Sequence, residues 1–262
     1  MPDSDKRYAN TLARGLSILR AFRPTDNGLG NLDLSERTGI PRSTVSRLTF
    51  TLCALGYLTH GRHHDKYRLG PAALALGNIA AASFSFVEIA TSIMQRLADE
   101  TATLIGVSIQ DDGKMLMVKT WRPAGSPSIW LDVGYRMPML SSSSGAAYVG
   151  ALTDEETAKL AALLPEDQGQ ALTRLTEQAR EQLLAKGYAF VSGPERFAQS
   201  INALATPYRP SEFGAPVAFF SGATSDALSD DRIHDSVGPA LARAVDELRR
   251  ATGQGFPAIA PH

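Results

Sequence analysis

Residues 36–52 read ERTGIPRSTVSRLTFTL, and the punctuation inside this stretch decides how the first part of the chain folds. Gly39-Ile40-Pro41 is a turn between two helices. Upstream, residues 32–38 form a short helix that Asn31 can cap, with Asp33 set against its N-terminal dipole and Gly39 just past its end. Downstream, Pro41 suits the first turn of a second helix, where a missing N–H costs nothing. Val45, Leu48, Leu52 and Leu55 then fall on one buried stripe, and Gly56 ends it. Helix, short turn, helix with an apolar stripe on the second member is the helix-turn-helix pattern. Working outward, Leu12, Ala13, Leu16, Leu19 and Phe22 recur at helical spacing, which predicts an amphipathic helix over 11–22. On the other side, 57–60 and 66–69 read as short strands joined by Gly61-Arg62-His63-His64-Asp65, a polar, basic wing.

With Val45, Leu48 and Leu52 turned inward, Arg42, Ser43, Ser46 and Arg47 lie on the outer face of the second helix, with Thr44 and Phe50 beside them. These types fit a major groove: arginine bonds guanine bidentately, serine contacts base edges or phosphate, and a ring meets a thymine methyl. Arg14, Arg62, His63, His64 and Lys66 suit phosphates or the minor groove. A solvated basic face is the plain alternative for any one of them. The charge distribution favours a polyanion partner. Residues 1–70 hold 11 Lys/Arg against 6 Asp/Glu, a net +5, while the remaining 192 hold 15 against 21, a net −6.

The combination ARGLSILRAF at 13–22, ERTGIPRSTVSRLTFTL at 36–52, LGYL at 55–58 and YRLGP at 67–71 resembles the IclR family of bacterial transcription regulators. A bare helix-turn-helix would not choose among many families; these segments at these spacings do. The resemblance runs the length of the chain and is looser after residue 140.

The 262 residues allow a small domain plus a medium one. With 44% hydrophobic and 20% charged residues, and no apolar run near about 18 residues, a membrane span is excluded. The polar start MPDSDKRYAN lacks the pattern of a secretory signal, so a cytoplasmic protein is expected. The single Cys53 excludes an intrachain disulfide and an all-cysteine metal site.

The expected organisation is a winged helix-turn-helix over 1–70, mainly α with a β-wing, a linker helix over 71–84, and an α+β domain over 85–262 with a largely antiparallel sheet. In that last domain Ser85 and Glu88 form a capping box for a long helix. Asp112-Gly113 joins strands at 104–110 and 114–121. Further strands are expected at 128–133, 188–192, 203–208 and 215–221, with helices after Thr153, over 172–186, and over 229–251.

The resemblance implies that this domain, GAF-like or profilin-like in topology, binds a small metabolite that alters DNA affinity. It places Met137, Ser143, Ser144, Ala203, Phe220 and Gly222 where relatives contact small organic acids, with Leu140, Ser142 and Gly145 alongside. Leu140 stands where a histidine is common, Ala203 where a cysteine is common, and Phe220 and Gly222 where serines are common. Such replacements favour a larger, partly apolar or aromatic carboxylate. From the residues alone, Ser141 to Ala146 reads either as an anion seat at a helix start or as a helix cap in a serine loop. Trp121 and Trp130 read either as rings stacking on the ligand or as core. The implied partners are a pseudo-palindromic double-stranded operator and further copies of the chain, as a dimer or a dimer of dimers; no cofactor is implied.

Two rival functions follow from other residues. A hydrolase would need a nucleophile elbow, which is missing, and only His234 remains as a base outside the wing and the terminus. A metal sensor would rest on His60, His63, His64 and Asp65 with Cys53 nearby, for which phosphate contact by the wing is the simpler account.

Overall fold

The computed structural model describes residues 7–61 and 66–254. The chain divides into two units, one ending at Ser83 and the other beginning at Phe84. In the first, α1 (Asn10–Arg20), α2 (Asn31–Thr38) and α3 (Arg42–Ala54) precede β1 (Leu58–His60), β2 (Tyr67–Leu69) and α4 (Pro71–Ala82). Gly39 turns α2 into α3 by taking φ of +70°, which frees its N–H to bond the Ser35 carbonyl at 2.9 Å. The Ser35 hydroxyl then donates across the turn to the Ile40 carbonyl at 2.7 Å. Ile18, Leu29, Leu34, Ile40, Val45, Leu52 and Leu58 form the core that α1, α2 and α3 share.

Four local expectations change in this unit. Gly30, rather than Asn31, is the N-cap of α2, and the Asp33 carboxylate accepts the Gly30 N–H at 2.8 Å. Pro41 sits just before α3 instead of in its first turn. Thr49 belongs to the buried stripe of α3, because its hydroxyl is satisfied by the Val45 carbonyl at 3.0 Å, while Leu55 lies past the helix end and is exposed. On α1 the buried positions are Gly15 and Ile18; Leu12 and Leu16 face outward. A three-helix head this small has less interior than its apolar residues could fill.

The second unit begins with α5 (Ser85–Thr101) and carries β3 (Leu104–Asp111), β4 (Lys114–Trp121), β5 (Arg136–Pro138), α6 (Ser143–Gly150), α7 (Asp154–Ala161) and α8 (Gly169–Lys186). After these come β6 (Ala189–Phe190), β7 (Ile201–Tyr208), β8 (Val217–Thr224), α9 (Asp230–Arg232) and α10 (Gly238–Ala251). The strands pair antiparallel in the order β5-β4-β3-β8-β7-β6. Alternation along each strand divides the interior. Ile105, Val107, Trp121 and Phe219 join α5 and α10 on one face, and Leu104, Met115, Met117 and Phe220 join α6 and α8 on the other. The β3–β4 hairpin closes on Asp112 and Gly113, both at positive φ (+53° and +69°).

Three expectations here are corrected. Ser85 does not cap α5 and Glu88 closes no box with it; Glu212 does the work from a distance, accepting the Ser85 hydroxyl at 2.8 Å and the Phe86 N–H at 3.3 Å. Residues 128–133 are not a strand. Their carbonyls are claimed by the Arg122 guanidinium, which donates to Ile129 O at 2.7 Å and Leu131 O at 3.0 Å, so a side chain replaces the ladder. The terminal helix is interrupted by a π turn over Ile233–Val237 ahead of α10. Among the described residues no single helix is long and apolar enough to cross a membrane.

Candidate nucleic-acid interface and effector cavity

α3 exposes Arg42, Ser43, Ser46, Arg47 and Phe50, with Thr44 half-buried at its first turn. Among the described residues no hydrogen bond or ion pair engages the guanidinium of Arg42 or Arg47, so both are unspent. Arg37 on α2 is different: it holds Asp26 through two bonds of 2.6 and 2.9 Å and caps the Ala21 carbonyl at 2.9 Å. That pairing, led by the side-chain hydrogen bond, keeps the Asp26 carboxyl below its usual range. Arg14 on α1 and Lys66 beside β2 are exposed. Arg62, His63 and His64 lie outside the described residues, as does Asp65. Of the metal alternative, only His60 and the half-buried Cys53 are therefore described; the His60 ring lies 4.9 Å from that of Tyr67.

In the second unit Met137, Ser142, Ser143, Ser144, Ala203, Phe220 and Gly222 line one small space of about 20 Å³. β4's partner β5 supplies Met137, the start of α6 the three serines, and β7 and β8 the remaining three. The serines are not equivalent. Ser142 is the N-cap of α6, its Oγ accepting the Gly145 N–H at 3.2 Å. Ser143 donates to the Ala203 carbonyl at 2.6 Å and accepts the Val191 N–H at 3.1 Å, tying α6 to the β6 end and to β7. Ser144 is buried, and among the described residues its hydroxyl makes no hydrogen bond.

Three expected contacts are placed elsewhere. Leu140 lines a separate groove along α8 with Phe190 and Gln182. Gly145 is a close approach of α6 to the preceding turn, where the carbonyl of Met139 leaves no room for a side chain. Trp130 is 78% exposed, and the Arg122 guanidinium sits 4.6 Å from its ring centre. Trp121 is core on the opposite face of the sheet, stacked on Phe219. Conversely, the cavity takes in Ile129, Leu131, Phe197 and Ile201, which sequence reading missed. The signal was present for two of them. Ile129 and Leu131 alternate with Trp130, the in-out pattern of a strand. His234, the one candidate base, shares a 3.0 Å hydrogen bond with the Tyr188 hydroxyl beside the π turn.

Residues 11–61 match the family model described as the IclR helix-turn-helix domain, and residues 79–212 match the bacterial transcriptional regulator IclR C-terminal domain. The chain belongs to the IclR family. As an IclR-family protein it is a transcription regulator with a DNA-binding helix-turn-helix head and a C-terminal effector domain, and not an enzyme. It is similar to the HTH-type transcriptional regulator TsaQ1/TsaQ2 of Comamonas testosteroni, 25% identical over 254 residues that span 95% of this chain and 90% of that one. An IclR-family transcriptional regulator from Brucella abortus superposes with a TM-score of 0.77 at 29% identity, covering 96% of this chain and 95% of that one. An IclR homologue from Microbacterium hydrocarbonoxydans, solved with 4-hydroxybenzoate, shares the fold at a TM-score of 0.69 and 19% identity, over 92% of this chain and 99% of that one.

Proposed function

We propose that this IclR-family regulator acts in the cytoplasm as a dimer, or a dimer of dimers, on a pseudo-palindromic operator, and that an aromatic carboxylate in the second unit adjusts its affinity. The observation that carries the effector reading is the lining of the small cavity. Met137, Ala203 and Phe220 suit a ring, and Ser144 with the first N–H groups of α6 suits a carboxylate. A two-carbon or three-carbon acid would find few groups to bond there. The 4-hydroxybenzoate bound by the Microbacterium homologue is a ligand of this class.

On the DNA side, Arg42 to Arg47 form the reading edge in a major groove, and Lys66, with Arg62, His63 and His64, meets phosphate. Arg14 adds a backbone contact from α1. Pairing of heads rests on α1 and α4; no residue of α4 is buried, and its apolar Leu74, Leu76 and Ile79 are all more than half exposed. For the effector to act, it must bind the operator-competent and operator-incompetent arrangements with different affinity.

Selection from a randomised duplex pool, followed by anisotropy titrations of the full chain, tests this. Wild type enriches a two-fold-symmetric site, Arg47→Ala loses that preference, and Lys66→Ala weakens every duplex alike with a shallower salt slope. Adding 4-hydroxybenzoate shifts the affinity for the selected site. Unchanged selectivity in Arg47→Ala, or a response to pyruvate and glyoxylate with none to aromatic acids, overturns the respective half of the reading.

A further inference from the structure

The space beside Phe220 is about 20 Å³, room for one water, whereas a drug-sized ligand occupies about 300 Å³ or more of pocket. One side chain takes up part of the remainder. The Ile129 Cδ1 atom stands 3.4 Å from the point where a Cβ on Gly222 would sit, directly over the β7–β8 wall at Ala203. Ile129 belongs to no strand or helix. Among the described residues, no main-chain to main-chain hydrogen bond reaches residues 125–131. Instead, Arg122 ties the segment, with bonds to the Ser128 hydroxyl, the Ile129 and Leu131 carbonyls, and the Asp132 carboxylate, all between 2.7 and 3.2 Å, while Ile129 and Leu131 pack on the core below and the Asp132 carbonyl accepts the Tyr135 N–H at 3.1 Å. The Trp130 ring lies over the same guanidinium from the solvent side.

From this geometry we infer that residues 128–132 are a strap, that Ile129 is a plug occupying the ligand's place, and that Arg122 is the latch that keeps the plug seated. The inference rests on the effector reading above and adds the residue that sets ligand size. A strap tied by one guanidinium swings out as a unit when its four bonds are exchanged for water, whereas a laddered strand would resist. Removing the plug therefore favours large ligands over small ones. Arg122 is a positioning residue: its loss changes the rate of entry more than the contacts of the bound ligand.

Calorimetry with 4-hydroxybenzoate and pyruvate, and stopped-flow recording of tryptophan emission, test this on the full chain. Ile129→Ala binds 4-hydroxybenzoate about tenfold tighter than wild type, the scale of no longer displacing a half-buried side chain, and gains nothing for pyruvate. Ile129→Phe, which refills the space, loses 4-hydroxybenzoate binding. Arg122→Gln accelerates association, and Arg122→Lys restores part of the wild-type rate. The emission change on binding disappears in Trp130→Phe, because Trp121 stays in the core. Equal affinity of wild type and Ile129→Ala for 4-hydroxybenzoate, or binding with no response from Trp130, overturns the plug and strap while the effector reading stands. If neither wild type nor Ile129→Ala binds any aromatic acid, both fail.

Discussion

Arg209 grips Glu156 with both terminal nitrogens, at 2.8 and 2.9 Å, and also bonds the carbonyls of Ala151 and Gly214. Led by the Arg209 hydrogen bonds, this environment lowers the Glu156 carboxyl from its ordinary 4.5 to about 2. A depressed carboxyl stabilises the fold above its unfolded value and loses that contribution as pH falls toward the folded one. Wild type is accordingly expected to melt above Glu156→Gln at pH 6, with the gap closing between about pH 4.5 and 2 in differential scanning calorimetry. A gap of constant size across that range would count against the pair. Both partners are about one-third exposed, so the effect is modest. At this scale the sequence leaves most hydrogen-bond partners unspecified. Ser142 and Ser143 were legible as cavity residues from the resemblance. That their hydroxyls are spent on capping Gly145 and on stitching α6 to Ala203 and Val191 was not, because both partners of Ser143 are distant in sequence.

Elements were read more faithfully, since helix periodicity and caps are local. Thr153 and Glu156 cap α7 reciprocally, as their spacing indicates, and α8 ends on Gly187 at φ of +79°. The two failures of kind share a cause: a remote side chain took over backbone bonding. Glu212 caps α5 in place of Ser85 and Glu88, and Arg122 holds 128–132 in place of a neighbouring strand. Neither partner is deducible from a window of residues. The close approach at Gly145 yields a prediction for α6. A methyl group there would overlap the Met139 carbonyl, whose carbon would be only 2.6 Å away, so Gly145→Ala pushes the helix off the turn that begins it. Urea unfolding should show a loss of about 1–3 kcal/mol, the usual range for overpacking, together with weakened acid binding. Wild-type stability in Gly145→Ala would mean that the turn relaxes freely.

At the scale of the molecule, the sequence disclosed two units of opposite charge and the identity of each, whereas the faces left open had to come from the structure. Leu12 and Leu16 of α1, counted as interior by periodicity, join Leu74, Leu76 and Ile79 of α4 as exposed apolar surface of the first unit. Periodicity reports that a helix has an apolar side, not which partner covers it. Replacing Leu74 and Ile79 together by glutamate should leave the fold of the head intact by circular dichroism. Sedimentation should then show a shift toward monomer, and operator affinity should fall at least about tenfold, because a half-site alone gives up the second set of contacts. An unaltered assembly would locate pairing elsewhere.

The pairing of β3 with β8 reaches from Leu104 to Gly222, and the first turn of α5 waits for Glu212. During synthesis, therefore, the head can fold as soon as it leaves the ribosome, from contacts made almost wholly within its own span. The sheet of the second unit has no centre until its last strands have been translated. For that interval the chain carries a finished DNA-reading head on a sensor that does not yet exist, so effector control waits for the last strands of the second unit.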